Sequence, residues 1–206
     1  MEDKVTKILQ QVSDLYQKYG IKSVSMDDVA RELGISKKTL YEYFKDKEDL
    51  VGKVLESQMS QIRAVFEIEK DDEHNAVDHL LEIDRIITAF LKNFSPTIHY
   101  DLQKYYPSVF RSIFEYKRGF MFDSIKANLE RGIKEGLYRS DFNSDIIAQI
   151  YVNQIEASLG SGFITSMEFT TNELFSEMFT YHFRGIASKK GIEYFEKKIC
   201  LTPNIK

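Results

Sequence analysis

The chain has 206 residues, room for one large or two small domains and for a substantial buried core. With 43% hydrophobic and 29% charged residues it has the balance of a folded protein, too polar for a membrane bundle and too apolar for a disordered chain. Its 28 basic and 32 acidic side chains leave a formal charge of −4, so nucleic acid is not held by a general positive coat and any such contact must be local.

A single cysteine, Cys200, excludes an internal disulfide and a cysteine-built zinc cluster. No window approaches the roughly 18 uncharged apolar residues of a spanning helix, and the charged start at Glu2, Asp3 and Lys4 is unlike a leader. The expectation is a cytoplasmic protein with no membrane partner.

Apolar residues recur at helical spacing, and Pro96, Pro107 and Pro203 are the only prolines. Ile8, Val12, Leu15, Tyr16 and Tyr19 line one face of a first helix that Gly20 ends. Ser25, with Asp28 three residues on, is a capping pair for a short helix whose Val29, Ala30 and Leu33 face inward before Gly34. Ser36 caps another short helix carrying Leu40 and Phe44 on one face, and Asp46 caps a longer one through Leu50, Val54, Met59 and Ile62. A solvated charge run from Glu67 to Asn75 begins a second unit. There the pattern predicts helices at about 76–94, 97–105, 108–135, 144–164 and 171–187, then an amphipathic piece at about 189–200. The fold class is all-α, with about nine or ten helices.

Ser25 to Phe44 has the length and order of a helix-turn-helix, whose second helix enters the major groove of DNA. At 100° per residue, with Leu40 and Phe44 inward, Lys38, Glu42 and Lys45 point outward, Tyr41 on one flank and Thr39 and Tyr43 on the other. Lys37, Lys38, Lys45 and Lys47 outnumber Glu42 and Asp46, a local positive balance in a negative chain. A lysine-rich run taken alone is ordinary solvent surface. Glu42 suits pairing with Lys38 or Lys45.

The string from Asp28 to Leu50, with its Gly34 turn, its Thr39-Leu40-Tyr41-x-Tyr43-Phe44 block and its Lys45-x-Lys47-x-x-Leu50 entry to the next helix, resembles the DNA-binding segment of the TetR family of bacterial transcription regulators. The resemblance implies a three-helix DNA-binding domain, here 1–50, and a helical effector-binding and dimerisation domain, here 51–206. It also implies base-edge or groove contacts from Lys37, Lys38 and Tyr41, and phosphate contacts from Ser25, Thr39, Tyr43 and Lys47. Helix amino ends near Ser25 and Asp46 add amide donors for phosphate.

Of 12 tyrosines and 15 phenylalanines, only Tyr16, Tyr19, Tyr41, Tyr43 and Phe44 lie in the first 60 residues. The run Gly119-Phe120-Met121-Phe122 turns large apolar groups to several sides, as a central helix would. Phe90, Phe94, His99, Phe110, Phe114, Phe120, Phe122 and Tyr151 are the candidates to line an effector pocket, with plain core packing as the alternative. The segment from Glu130 to Asp141 also resembles the family, where it closes the long seventh helix. Gln154, Ser158, Ser161 and Gly162 on one stripe and Phe175, Phe179 and His182 on another are the expected dimer interface, since in the family the last two long helices pair with their mates. Each stripe could instead be buried within one chain.

Enzyme readings find little support. His74 and His79 are five apart, off a shared helix face, and phosphate loops, GxSxG elbows and HExxH are absent. No cofactor or metal is expected. The reading is a ligand-responsive regulator, most often a repressor in families of this kind, that binds a pseudo-palindromic double-stranded operator as a homodimer and answers to an unknown small molecule. The alternative is an all-helical ligand-binding or scaffold protein whose helix-turn-helix no longer binds DNA.

Overall fold

The computed structural model describes residues 2–68, 74–92, 95–160 and 171–201. Among these residues ten helices follow one another: α1 (Glu2–Tyr19), α2 (Met26–Glu32), α3 (Lys37–Tyr43), α4 (Lys47–Ile68), α5 (Ala76–Lys92), α6 (Pro96–Tyr105), α7 (Pro107–Lys134), α8 (Ser144–Gly160), α9 (Thr171–Ile186) and α10 (Lys189–Leu201). The all-α expectation holds. The ends foreseen at 93–94 and 161–164 lie outside the described residues. No described helix is long and apolar enough to cross a membrane.

The chain packs as two units, one of 1–65 and 94–117, the other of 66–93 and 118–206. Packing thus groups 51–65 and 94–117 with the amino-terminal helices, where the sequence reading had placed them in the second domain. The reason is visible in the first core: Val51 and Val54 of α4 and Leu102 of α6 are buried with Ile8, Val12, Leu40 and Phe44. Leu40 and Phe44 are at most 1% exposed, and burying such side chains stabilises by about 1.5–3 kcal/mol each.

The turn between α2 and α3 is fixed by backbone chemistry. Gly34 takes φ +63, its N–H donating to Arg31 O at 3.2 Å while Ile35 N–H donates to Ala30 O at 3.0 Å. This pair of bonds is a Schellman motif, and its left-handed position favours glycine.

The second unit is built on α5, α7, α8, α9 and α10. Contrary to the sequence expectation for α7, this helix buries one stripe, Met121, Ile125, Asn128, Leu129 and Gly132. Phe120 and Phe122 are only half-buried beside it. A Cβ on Gly132 would lie 2.0 Å from the Tyr138 ring, so the missing side chain lets that ring lie on the helix. The Tyr138 hydroxyl is 3.0 Å from both Ala76 O and Asn128 Oδ1, and Asn128 Nδ2 donates to Ala76 O at 2.8 Å. Glu135 accepts from the Ala76 amide at 2.8 Å, so the start of α5 is tied to the end of α7.

Candidate nucleic-acid interface

The second helix of the turn motif, α3, is held from beneath and open above. Ser36 Oγ accepts the Thr39 amide at 3.0 Å and caps it, Leu40 is its buried residue, and Lys37, Lys38, Tyr41, Glu42 and, just beyond it, Lys45 are exposed. Lys37 pairs with Asp27 at 2.7 Å, which raises its pKa through that hydrogen bond and charge. Lys38 and Lys45 have no ion pair among the described residues. Their ammonium groups and the Tyr41 hydroxyl are the open polar surface of α3.

Glu42 is exposed and pairs with neither Lys38 nor Lys45 among the described residues, a correction to the expected pairing. Exposed ion pairs on helices contribute only about 0.3–0.5 kcal/mol, too little to hold long side chains together.

The four residues expected on phosphate are placed unequally. Ser25 is exposed and closes a capping box: its amide and hydroxyl donate to Asp28 Oδ2 at 2.9 and 2.6 Å, and its oxygen accepts the Asp28 amide at 3.2 Å. These bonds hold the Asp28 carboxyl below its usual pKa. The Thr39 hydroxyl is 2.8 Å from Ser36 Oγ. Tyr43 is half-buried with Lys4 Nζ 5.7 Å from its ring centre. Lys47 is turned inward: its Nζ donates to Lys22 O at 3.3 Å and lies 5.9 Å from the Tyr106 ring centre. Burial lowers its pKa, against the raising charges of Asp101 and Asp28. At the start of α4, Asp46 Oδ1 accepts the Asp49 amide at 2.9 Å, so one of the amides expected for phosphate is already capped.

The aromatic candidates of the second half do not gather in one unit. His99, Phe110 and Phe114 belong to the first unit, where the His99 and Phe110 rings meet edge-on at 5.2 Å and Phe110 stacks on Phe114 at 5.4 Å. Phe120, Phe122 and Tyr151 belong to the second unit. Phe94 lies outside the described residues, as does the side chain of Phe90.

The expected dimer stripe on α9 is corrected. Phe175, Phe179 and His182 are 4%, 4% and 8% exposed and sit in or against the core of their own chain, where Phe183 stacks on Phe195 at 4.2 Å and Phe179 lies tilted against it at 6.0 Å. Gln154 is half-buried, while Ser161, Gly162 and the side chain of Ser158 lie outside the described residues. Among the described residues, the large apolar groups left in solvent on these two helices are Ile146 (58%), Ile150 (48%) and Tyr181 (77%). Helical periodicity marks a buried face without saying what buries it.

One residue that sequence reasoning passed over is Asp84. It stands four after Leu80 and seven after Val77, an acid on an apolar stripe, and that spacing was the available signal. Burial pushes its carboxyl up to about 6.

A short, well-capped helix presented on a buried helix pair defines a helix-turn-helix protein. Residues 8–54 match the sequence model of the bacterial regulatory proteins of the tetR family, so this segment is similar to the DNA-binding segment of that family. The chain is 36% identical over 75 residues to the HTH-type transcriptional regulator SAB2452 of Staphylococcus aureus (strain bovine RF122 / ET3-1), a match over 33% of this chain and 40% of that protein. The match thus spans about two fifths of the length of such curated relatives.

Solved structures share the fold over nearly the whole chain. A protein from Saccharomonospora viridis crystallised with choline is 18% identical with a TM-score of 0.71, over 92% of this chain and 100% of that one. The transcriptional regulator FadR from Bacillus subtilis, in complex with stearoyl-CoA, is 16% identical with a TM-score of 0.63, over 87% and 97%.

Proposed function

We propose that the protein is a ligand-responsive transcription regulator, acting as a repressor, whose homodimer sets two copies of α3 into successive major grooves of a pseudo-palindromic operator. The observation that carries this reading is the exposure of Lys37, Lys38, Tyr41 and Lys45 around a helix anchored by Leu40 and Phe44. Lysine and tyrosine at such a surface reach guanine and phosphate oxygens, and a two-fold assembly doubles the contact while fixing half-site spacing. Ser25, Thr39, Tyr43 and Lys47 are assigned to the rim near the phosphates, and Lys47 and Thr39 are assigned there chiefly as supports, since their polar groups are engaged within the chain.

The second unit is assigned to effector binding and dimerisation. Two proteins of the same fold hold choline and stearoyl-CoA, so this architecture accepts small molecules, and these two differ so much in charge that the fold does not choose the ligand. Ile146, Ile150 and Tyr181 supply exposed apolar area for the mate. An effector switches DNA binding only through unequal affinity for the competent and incompetent conformations.

The test is a salt-dependent gel shift on a duplex from upstream of the protein's own coding region. Binding that weakens steeply with salt and is lost on removal of the α3 lysines supports the reading. Binding indifferent to Lys38→Ala and Tyr41→Ala overturns the assignment of α3.

A further inference from the structure

The first unit carries a second cluster of lysine and tyrosine apart from α3. Lys22, in the turn between α1 and α2, holds its ammonium 4.7 Å from the centre of the Tyr105 ring, and Lys104, on α6, holds its own 5.5 Å from the same ring. Lys104 Nζ also donates to the Tyr100 hydroxyl at 2.7 Å. All four residues are exposed, and neither lysine has an ion pair among the described residues. The acids of the neighbourhood are already engaged. Asp101 is buried and accepts the Lys22 amide, Asp28 is held by Ser25 and Arg31, and Glu48 accepts the Ser108 hydroxyl at 2.6 Å.

Two ammonium groups gathered on one ring repel each other, and the face of a tyrosine answers their charge only in part. What such a cluster lacks is an anion. The hydrogen bond from Lys22, with the charges of Lys104 and Lys22, holds the Tyr105 hydroxyl below its usual pKa against desolvation, as befits a donor in a positive field. Position in the unit says which anion. Lys22 stands three residues before Ser25, its carbonyl accepts Lys47 Nζ at 3.3 Å, and the same Nζ lies 5.9 Å from the ring centre of Tyr106, the neighbour of Tyr105. Ser25 and Lys47 are assigned above to the rim near the phosphates, so the cluster continues that rim from the helix-turn-helix onto α6. Its cations are spread over an open surface on flexible stems, which suits the repeated charge of a DNA backbone better than one small anion. We infer that the DNA-binding surface extends onto α6, with Lys22, Lys104 and the Tyr105 hydroxyl on backbone phosphates beside the groove that α3 enters. This rests on the regulator reading above and deepens it: α3 reads bases, and the α6 cluster adds affinity without sequence preference.

The test compares the full-length parent with a variant combining Lys22→Gln and Lys104→Gln, by fluorescence anisotropy over a salt series on the upstream duplex and on duplexes of altered sequence. The double variant is expected to bind every duplex more weakly at low salt, with the salt slope reduced by about two and the ranking of duplexes unchanged. Its melting temperature should match the parent's, because both side chains are exposed and the bonds that hold the turn come from the Lys22 main chain. Should it melt lower, Lys104→Gln alone, outside the turn, decides through a slope reduced by about one. A parental slope in a variant that binds DNA overturns the inference and leaves α3 untouched, and a changed ranking at parental slope overturns it as well. The two readings fail separately. A reduced slope in the lysine variant, with Lys38→Ala and Tyr41→Ala without effect, upholds the α6 surface and removes α3, whereas a parent that binds no duplex refutes both.

Discussion

The carboxylate of Asp101, 5% exposed on α6, accepts the main-chain N–H of Lys22 at 2.8 Å across 79 residues of sequence. The carbonyl of the same Lys22 accepts Lys47 Nζ at 3.3 Å. The turn between α1 and α2 is therefore gripped on one side by an acid from α6 and on the other by a base from α4. Asp101→Ala is expected to destabilise the protein by about 1.5–3 kcal/mol, the range for a hydrogen bond to a charged partner, because the Lys22 amide is left without its acceptor. Asp101→Asn keeps an acceptor oxygen and should lose less. Urea unfolding of the three proteins measures the difference, and equal midpoints would show that the grip carries no stability.

Helix positions were legible because they depend on local chemistry: Ser25 and Ser36 cap α2 and α3 as read from the sequence, and Gly34 turns the chain between them. The open face of α3 was legible for the same reason, since Leu40 and Phe44 fix its rotation. What could not be read was which groups answer one another over long range. Nothing near Asp101 in sequence announces Lys22, and Lys47 looked free for phosphate because its partner lies 25 residues away. On α9, Phe175 and Phe179 would give the same periodicity whether buried by a mate or by their own chain, and packing against Phe195 decided it.

The exposed lysines separate into contacts and supports. Lys38→Ala should weaken DNA binding across sequences and reduce the salt slope by about one, with no change in melting temperature, because Lys38 is exposed and unpaired among the described residues. Lys47→Ala should also lower the melting temperature, since it removes the bond to Lys22. Tyr41→Ala should alter the ranking of operator variants as well as the affinity. Gel shifts over a salt series, paired with thermal melts, check all three; a Lys38 variant with parental salt slope would remove that residue from the interface.

The surface of α8 and α9 distinguishes an interface from a core. Ile146→Asp combined with Ile150→Asp should leave a folded chain that sediments as a monomer at micromolar concentration, because both side chains are in solvent in the single chain. Phe179→Ala should instead lower stability by about 3–5 kcal/mol through the cavity it leaves. Analytical ultracentrifugation and denaturant unfolding read the two effects. A double aspartate variant that stays dimeric would move the interface elsewhere.

Asp84 and His182 respond to pH with opposite sign. Burial raises the Asp84 carboxyl from 3.8 to about 6, so between these values the folded state holds the extra proton. Stability from this residue falls as pH rises through the window and is lowest above about pH 6. Burial lowers the His182 imidazole from 6.5 to about 4, so there the unfolded state holds the extra proton. Stability from this residue rises with pH and is complete above about 6.5. Arg85 is the charged neighbour acting on Asp84, and Tyr151, raised by burial and by Asp84, stays neutral throughout. The two slopes oppose each other between about pH 4 and 6. Asp84→Asn should therefore add a rise of on the order of 3 kcal/mol, relative to the parent, as pH goes from about 4 to 6, and His182→Phe a fall of similar size. Urea unfolding at intervals from pH 4 to 7.5 reads both as differences from the parent, in which every other titrating group is shared. Variant curves parallel to the parental curve would mean that neither side chain changes its protonation on folding.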